Sequence, residues 1–375
     1  MGKFAEIVPE RVRALTQYHS KPIQQAEAES GLPMVNLGSN ENPFGPSSLA
    51  IRAMEAAARR AHLYPDNDSI ALRVRLAAHH GISPEQLVVT AGSSNLLDIL
   101  ARTLLAPRHN AVTSERSFVV YPIVTRSAGA ELRQVPCRND GYDLDAISDA
   151  IDSETRIVYI ANPNNPTGTI IGAKEMDRFL DRLPEKVVVA LDEAYCEYAD
   201  WLARERGVEY SHSIDYVRQE RSVLVLRTFS KVYGLAGARI GYGMGPAELI
   251  NYLARLKTAF IVNSIAEAGA LAALDDREHY EKSMRNNSAQ LATLTRQLRE
   301  LGFTPIESWG NFVYIETGED ASALARRLQM NGVIVRPLTG SWGARTAIRV
   351  SVGTPEANRT FIDALRRVTN AVTSG

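Results

Sequence analysis

Short apolar runs alternate with amphipathic stretches through the middle of the chain. Four of these runs read as buried strands, at residues 87–90, 156–160, 187–191 and 222–226. The stretch after the first run carries apolar residues at helical spacing from Leu96 to Leu104. This alternation predicts an α/β fold with a mostly parallel central sheet and helices on both faces.

The pattern changes beyond Asp275. Apolar residues recur at helical spacing from Met284 to Leu301, which indicates one long amphipathic helix. Further short elements follow, with strands at 311–316, 332–335 and 347–352, a helix at 321–330 and a last helix opened by Thr354 and Pro355. We therefore expect three parts. They are an N-terminal segment (1–42) that packs with a small α+β domain (276–375), and a large ligand-binding domain (43–275).

Composition narrows the class of protein. The 375 residues are 45% apolar and 23% charged, which is typical of a soluble globular protein. A net charge of −1 predicts no nucleic-acid partner, and the sequence predicts no membrane span or signal segment. Cys137 and Cys196 are too few for a disulfide framework and lack metal-ligand spacing. These features predict a cytoplasmic protein without a metal site.

Each of the four predicted strands is followed by groups able to do chemistry. These are the turn at 91–94, the segment NPNNPTG at 162–168, the segment DEAY at 192–195, and the segment 227–239. In open α/β sheets, ligands bind beyond the carboxyl ends of the strands. The four segments are therefore expected to form a single site.

The segment 227–239 carries the most specific chemistry. The hydroxyls of Thr228 and Ser230 and the guanidinium of Arg239 suit a phosphate dianion. Lys231 lies among apolar residues, and desolvation favours the neutral, nucleophilic amine. Together they suggest a pocket for pyridoxal phosphate (PLP), with Lys231 holding the aldehyde. An ordinary loop is the alternative.

Other strand ends meet the remaining needs of PLP. Asp192 could keep the pyridine nitrogen protonated, and Tyr195 and Asn165 could bind O3′. Ser93 and Ser94 open a helix whose free amides favour an anion. The alternatives are helix capping for Asp192 and the serines, and turn chemistry for Asn165.

Two arginines are candidates for binding a substrate anion. Arg349 stands in the middle of an apolar strand, and Arg336 is expected at the end of the preceding strand. A guanidinium fork matches a carboxylate or a phosphate. A structural salt bridge is the alternative for either residue.

These motifs resemble one enzyme family nearly from end to end. The chain resembles the class I/II, fold-type I PLP-dependent aminotransferases and, within them, the histidinol-phosphate aminotransferase branch. The matching segments are NLGSNENPFGPS at 36–47, LYPD at 63–66, NPNNPTG at 162–168, LDEAY at 191–195, RTFSKVYGLAGARIGYG at 227–243 and IRVSVGT at 348–354.

The resemblance implies a role for each matching residue. Lys231 forms an aldimine with PLP and then shuttles a proton between substrate and cofactor. Asp192 pairs with the pyridine nitrogen, and Tyr195 and Asn165 bind O3′. The phosphate is held by the residues Thr228, Ser230 and Arg239 and by the amides of Ser93 and Ser94.

Substrate and partner expectations also come from the resemblance. Arg349, with Arg336, binds the donor carboxylate or the phosphate of histidinol phosphate, and Asn42 is expected at the substrate. Tyr64 is expected to reach the cofactor phosphate and substrate from the partner subunit of a homodimer. Phe118 stands where many relatives stack a tyrosine on the PLP ring.

The implied reaction is reversible amino transfer from histidinol phosphate to 2-oxoglutarate in two ping-pong half-reactions. The loss of the hydroxyl at Phe118 leaves substrate preference open. The alternatives are an aromatic amino-acid aminotransferase, a threonine-phosphate decarboxylase and a PLP-sensing regulator. The chain has no basic N-terminal helix-turn-helix that would favour the regulator.

Overall fold

A computed structural model describes residue 4, residues 6–15 and residues 23–373. Parts of the predicted N-terminal segment (1–3, 5 and 16–22) and residues 374 and 375 lie outside the described residues. The strands are β1 Val35–Asn36, β2 Leu87–Thr90, β3 Asn110–Ser114, β4 Glu131–Val135, β5 Thr155–Ala161, β6 Val188–Asp192, β7 Val223–Thr228, β8 Gly241–Met244, β9 Phe312–Glu316, β10 Val333–Ile334, β11 Arg336–Pro337 and β12 Ala347–Ser351.

The helices surround these strands. They are α1 Glu10–Arg13, α2 Ile23–Ser30, α3 Ser48–Ala58, α4 Ile70–His80, α5 Ser93–Leu104, α6 Val120–Ser127, α7 Leu144–Asp149, α8 Ala173–Leu180, α9 Cys196–Arg206, α10 Ser213–Arg218, α11 Ala247–Leu256, α12 Ser264–Ala273, α13 Arg277–Glu300, α14 Ala321–Gln329 and α15 Pro355–Thr373. Short 3-10 turns lie at Pro84–Gln86 and Gly340–Trp342. Within the described part of the chain, no helix combines the length and apolarity needed to cross a membrane.

A seven-stranded sheet forms the centre of the molecule, in the order β2-β8-β7-β6-β5-β3-β4. β8 runs antiparallel to both of its neighbours, whereas β7, β6, β5, β3 and β4 pair in parallel. Separate apolar clusters cover the two faces. The predicted α/β class with a mostly parallel sheet is confirmed.

Three strands of this sheet are not predicted by the hydrophobic pattern. β4 has the sequence ELRQV, with only Val135 buried, because it lies at the edge of the sheet. β8 has the sequence GYGM, and glycine supplies no apolar side chain to a pattern. β3 has the sequence NAVTS, in which polar side chains are buried with the apolar ones. All three lack a clean apolar run.

A second, three-stranded antiparallel sheet has the order β11-β12-β9 and packs against α13, α14 and α15. The N-terminal strand β1 pairs in parallel with β10, with Val35 opposite Val333. In place of the predicted strand at 332–335, the structure has two separate strands on either side of Val335. Residues before Val335 pair with β1, and residues after it pair with β12. Arg336 begins β11 and pairs with β12, which corrects its predicted place at the end of the preceding strand.

Two helix starts illustrate how capping acts. The carboxylate of Asp276 accepts a hydrogen bond from the His279 amide at 3.1 Å and opens α13. The helix itself begins at Arg277, seven residues before Met284, where the apolar spacing starts. The first two turns are mostly polar and hide the helical pattern. At α15, Thr354 Oγ1 accepts a hydrogen bond from the Ala357 amide at 3.2 Å, which confirms the predicted cap.

The loop that carries Lys231 packs backbone to backbone against the loop that precedes α3. Gly234 has φ +69°, and a Cβ there would lie 2.1 Å from Gly45 O and 2.7 Å from Pro46 N. Only glycine fits this contact, because both neighbouring atoms belong to the main chain. The contact fixes the lysine loop relative to α3.

Candidate active site

A cavity of about 270 Å³ opens beyond the carboxyl ends of β5, β6 and β7, and we call it the central cavity. Its lining contains every predicted site residue except Asn42 and Tyr64. The predicted residues in the lining are Ser93, Ser94, Phe118, Asn165, Asp192, Tyr195, Thr228, Ser230, Lys231, Arg239, Arg336 and Arg349. The four strand ends therefore meet at one place, as the sequence pattern predicts.

Lys231 lies three residues beyond β7 and projects into the central cavity. Its Nζ donates a hydrogen bond to Ser39 O at 3.1 Å and lies 5.5 Å from the centre of the Tyr195 ring. Burial, together with the positive charge of Arg349, lowers the pKa of Lys231 to about 7. A large fraction of this amine is neutral at neutral pH and can act as a nucleophile.

Asp192 is the last residue of β6 and is 4% exposed. One carboxylate oxygen accepts a hydrogen bond from Tyr121 OH, and the other accepts one from the Ala194 amide, both at 3.2 Å. Burial raises the pKa of Asp192 to about 6 although both hydrogen bonds lower it. A carboxylate in this position favours a cationic ligand.

One end of the central cavity is lined by anion-binding groups. Thr228 Oγ1 donates to Ser230 Oγ at 2.9 Å, and Arg239 Nη1 donates to the same oxygen at 3.4 Å. Ser93 begins α5 directly after Gly92, which has φ +92°. A Cβ on Gly92 would lie 2.6 Å from Arg239 Nη2, so glycine is needed for the guanidinium to approach the helix start.

Tyr195 is held by two asparagines. Its hydroxyl accepts hydrogen bonds from Asn40 Nδ2 at 3.0 Å and from Asn165 Nδ2 at 3.4 Å. Burial raises the pKa of Tyr195, which keeps the phenol protonated. Asn40 was missed by the sequence reasoning. The sequence feature that could have pointed to Asn40 is its place in a turn-rich segment. In the structure Asn40 has φ 54°, a conformation that asparagine tolerates better than most residues.

The two candidate arginines lie directly opposite each other on β11 and β12. Arg336 Nε and Arg349 Nη2 both donate to Gly38 O, at 3.3 and 3.0 Å. The Arg349 guanidinium carbon also lies 5.5 Å from the ring centres of Phe312 and Trp342. Two cations at one wall of the central cavity can bind an anion with more than one negative charge.

Tyr64 and Asn42 lie elsewhere. Tyr64 is 83% exposed, and its ring stacks on Phe260 with the ring centres 4.7 Å apart. Asn42 is buried, and its Nδ2 donates to Val232 O at 2.6 Å and to Ser283 Oγ at 2.9 Å. Asn42 thus binds the main chain next to Lys231, and the substrate contacts of both residues stay predictions.

Phe118 and Trp342 supply the aromatic part of the lining, with their ring centres 6.3 Å apart. The Phe118 ring meets Tyr121 edge to face at 5.8 Å. Trp342 and the carboxylate of Glu41, also in the lining, were missed because they are distant in sequence from every strand-end motif. Among the described residues, no group of three or more histidines, cysteines or acids could hold a metal ion.

Comparison with known proteins places this site in a family. The family model described as aminotransferase class I and II matches residues 33–365. Histidinol-phosphate aminotransferase 2 of Pseudomonas aeruginosa is 42% identical over 98% of this chain and 99% of its own length. Histidinol-phosphate aminotransferase 1 of Nitrosococcus oceani is 41% identical, with 97% of each chain covered.

A solved structure agrees with the sequence relatives. The histidinol-phosphate aminotransferase of Sinorhizobium meliloti, determined in complex with pyridoxal-5′-phosphate, superimposes with a TM-score of 0.88. It is 29% identical, and the match covers 97% of this chain and 98% of that one. The resemblance noted from the sequence motifs is confirmed. The chain belongs to the class I and II aminotransferases.

Proposed function

We propose that this protein is a PLP-dependent aminotransferase that takes the amino group of histidinol phosphate and passes it reversibly to 2-oxoglutarate. The central cavity carries the proposal, because it joins a lysine of lowered pKa to a buried carboxylate, an anion-binding end and two arginines. The names of the two sequence relatives support the choice of substrate.

The residues of the central cavity fit PLP. The start of α5, Ser230 and Arg239 would hold the phosphate, and the close approach of Arg239 to Gly92 leaves no room there for a side chain. Asp192 would hold the proton of the ring nitrogen, and this cation would relieve the cost of burying its carboxylate. Lys231 would hold the aldehyde carbon.

When bound, PLP supplies an electron sink that stabilises negative charge at the substrate Cα. Lys231 supplies the base at that atom. Its neutral Nζ would take the proton from the substrate Cα and hold it as an ammonium for the second proton transfer. The Tyr195 hydroxyl accepts from Asn40 and Asn165, so its own proton would be available to donate to O3′ of PLP.

Arg349 and Arg336 orient the substrate. The phosphate of histidinol phosphate and the carboxylates of glutamate and 2-oxoglutarate would occupy the same wall in alternate half-reactions, because a guanidinium fork binds either group. The rings of Phe312 and Trp342 flank the Arg349 guanidinium and limit its motion. The same wall can thus serve both halves of a ping-pong reaction.

The first test is a spectral titration of the PLP-loaded protein without any 2-oxo acid. Histidinol phosphate is added in one experiment and phenylalanine in another. We expect histidinol phosphate to convert the cofactor to pyridoxamine phosphate faster than phenylalanine does. Faster conversion by phenylalanine would contradict the substrate and favour an aromatic aminotransferase. Histidinol phosphate has no carboxylate to lose, so the decarboxylase alternative is tested by a third titration with threonine phosphate. Carbon dioxide release from it without pyridoxamine phosphate would contradict amino transfer itself.

A homodimer with a shared site is the second part of the proposal. Tyr64 lies in the segment between α3 and α4 and stacks on the exposed Phe260. The two helices and this segment carry further exposed apolar side chains that a partner subunit would cover, namely Leu49, Ile51, Leu63, Ile70 and Val74. We propose that Tyr64 reaches the cofactor phosphate of the partner subunit. Mixing inactive Tyr64→Ala and Lys231→Ala proteins should then restore part of the activity. No recovery after confirmed subunit exchange would contradict the shared site.

The three-part division at residues 42 and 275 and the cytoplasmic location also belong to this proposal. The apolar cluster around β9 and β12 is separate from the clusters on the large sheet, which supports a second core, although α9 of the large domain also packs into it through Cys196, Ala199, Leu202 and Ala203. Limited proteolysis should cut near Asp275 and spare α13, and preferred cuts within α13 would contradict it. The free thiols of Cys137 and Cys196 suit a reducing compartment, which cell fractionation can check.

A further inference from the structure

The central cavity holds two carboxylates in opposite surroundings. Asp192 lies buried, whereas Glu41 lies in the lining with an exposed side chain. One Glu41 oxygen accepts a hydrogen bond from Asn36 Nδ2 at 3.2 Å. Within the described residues Glu41 makes no ion pair, although Arg336 lines the same cavity. Its carboxylate therefore keeps hydrogen-bonding capacity at the mouth of the cavity.

Glu41 acts electrostatically on the reaction centre. Its negative charge raises the pKa of Lys231, against the effects of burial and of Arg349. Ser39, two residues earlier, accepts the hydrogen bond of Lys231 Nζ, so the segment 38–41 passes directly by the reacting amine. A substrate held at Lys231 and at the arginines would occupy a cavity that Ser39 and Glu41 also line.

There is also room for a ring at this place. Ser39, Glu41 and Arg336 line both the central cavity and a neighbouring cavity of about 500 Å³ that we call the outer cavity. The aromatic faces of Phe118 and Trp342 can pack on any flat ring and do not distinguish an imidazole from a phenyl group. Discrimination needs a polar group that only one of the two rings can satisfy.

An imidazole has an N–H donor and is partly cationic near its ordinary pKa of about 6.5, whereas a phenyl ring has no donor. A hydrogen bond between such a ring and a carboxylate is charge-assisted and contributes more than a neutral one. A phenyl ring at the same place would displace water from the carboxylate and offer no hydrogen bond in return, leaving only the bond from Asn36.

We propose that Glu41 is a specificity-determining residue that accepts a hydrogen bond from the imidazole N–H of the substrate. The inference rests on the proposed function, because the amine at Lys231 and the phosphate at Arg336 and Arg349 set where the ring lies. Glu41 thereby selects an imidazole-bearing amino phosphate over a phenyl-bearing amino acid.

The test uses the PLP-loaded protein and two ligands that lack the amine and so do not react. These are 3-(imidazol-4-yl)propyl phosphate and 3-phenylpropyl phosphate, with dissociation constants measured by calorimetry. Glu41→Gln should weaken the imidazole ligand about tenfold and the phenyl ligand by less than about twofold. Glu185→Gln is the matched control, because it removes an exposed carboxylate outside the lining of the central cavity.

The pH dependence gives a second readout. In the unaltered protein, lowering the pH from about 8 to about 6 protonates the imidazole and should strengthen its binding relative to the phenyl ligand. The phenyl ligand corrects for protonation of the phosphate, which both ligands share. In Glu41→Gln this relative gain should shrink, because the charged acceptor is gone.

Two outcomes would overturn the role of Glu41 but leave the proposed function standing. Equal weakening of both ligands would indicate a general electrostatic effect, and unchanged binding of both would exclude a contact with the ring. In either case the unaltered protein would still convert histidinol phosphate in preference to phenylalanine. A preference of the unaltered protein for phenylalanine would instead overturn the proposed function together with this inference.

Discussion

Asp192 and Glu193 are neighbours in the chain but belong to opposite sides of the large sheet. Asp192 lines the central cavity and is held by one tyrosine hydroxyl and one amide. Glu193, 0% exposed, accepts two hydrogen bonds from Arg227, at 3.0 and 2.7 Å. The hydroxyls of Ser211 and Ser213 complete its shell at 2.8 and 3.0 Å.

The difference separates a structural charge from a functional one. The Glu193 carboxylate is neutralised and fully hydrogen-bonded by groups of the chain itself, so its burial needs nothing from outside. The Asp192 carboxylate has a raised pKa because its surroundings supply too little compensation. A buried acid with so little compensation favours binding of a cationic ligand. The contrast between Asp192 and Glu193 can be tested by changing residues on either side of the sheet.

The largest effect is expected on the cavity side, at Lys231. Lys231→Ala removes the amine that holds the aldehyde and moves the Cα proton, so amino transfer should fall at least about 10⁴-fold. Single-turnover spectra of the PLP-loaded protein measure this. Lys186→Ala is the control, because Lys186 is exposed and donates to Ser153 O far from the cavity lining. A near-normal rate for Lys231→Ala would refute the proposed function.

The next effect concerns stability on the other side of the sheet. Glu193→Gln leaves the largely buried Arg227 charge without its carboxylate and should lower the free energy of unfolding by about 3 kcal/mol. Urea unfolding followed by circular dichroism measures this, with Glu185→Gln as the exposed control. If Glu193→Gln cost no stability while amino transfer collapsed, the division into structural and functional charges would be wrong.

A smaller effect follows from the pKa of Asp192 in the cofactor-free protein. Because the folded pKa of about 6 exceeds the ordinary 3.8, this group destabilises the fold as the pH rises from about 4 to about 6. At about 1.4 kcal/mol per pH unit, the cost reaches about 3 kcal/mol above pH 6. Asp192→Asn should be more stable than the unaltered protein there, and this advantage should vanish below about pH 4.

Unfolding curves of both proteins across this pH range measure the difference. Glu197 and Asp200 also have pKa values raised by burial, but they are common to both proteins and cancel in the comparison. Bound PLP should remove the advantage of the variant, because its ring nitrogen supplies the missing cation. An advantage that grows toward low pH would contradict the sign.

The smallest effect is expected at Tyr121, which supports Asp192. Tyr121→Phe removes one hydrogen bond of 3.2 Å from the carboxylate and keeps the ring stacked on Tyr159. We expect a loss of about 1 kcal/mol in PLP binding, or about fivefold in affinity. Fluorescence titration measures it, and Tyr252→Phe at an exposed position is the control. Equal PLP affinities of Tyr121→Phe and the unaltered protein would mean that the Tyr121 hydrogen bond does not contribute to cofactor binding.

Much of the fold could be predicted, because β5, β6 and β7 are continuous apolar runs buried on both faces. Each run ends at the residues that line the central cavity, so topology alone brought Asp192 and the lysine loop together. Local sequence carries this information, since a strand and the loop after it are neighbours in the chain.

Other features depend on contacts between distant segments. Arg336 faces Arg349 only because of the register between β11 and β12, which no local pattern reveals. Asn40 and Glu41 approach the site through a segment more than 150 residues away from Tyr195 and Lys231. The spatial pairing of these residues becomes visible only once the chain is folded.

The backbone contact between Gly234 and Gly45 limits how the enzyme can be redesigned. A saturation library at position 234 should return glycine alone among well-folded clones, because any Cβ would collide with main-chain atoms that cannot turn aside. Libraries aimed at new substrates are therefore better placed at Phe118, Glu41 and Trp342, whose side chains line the cavity without anchoring the lysine loop.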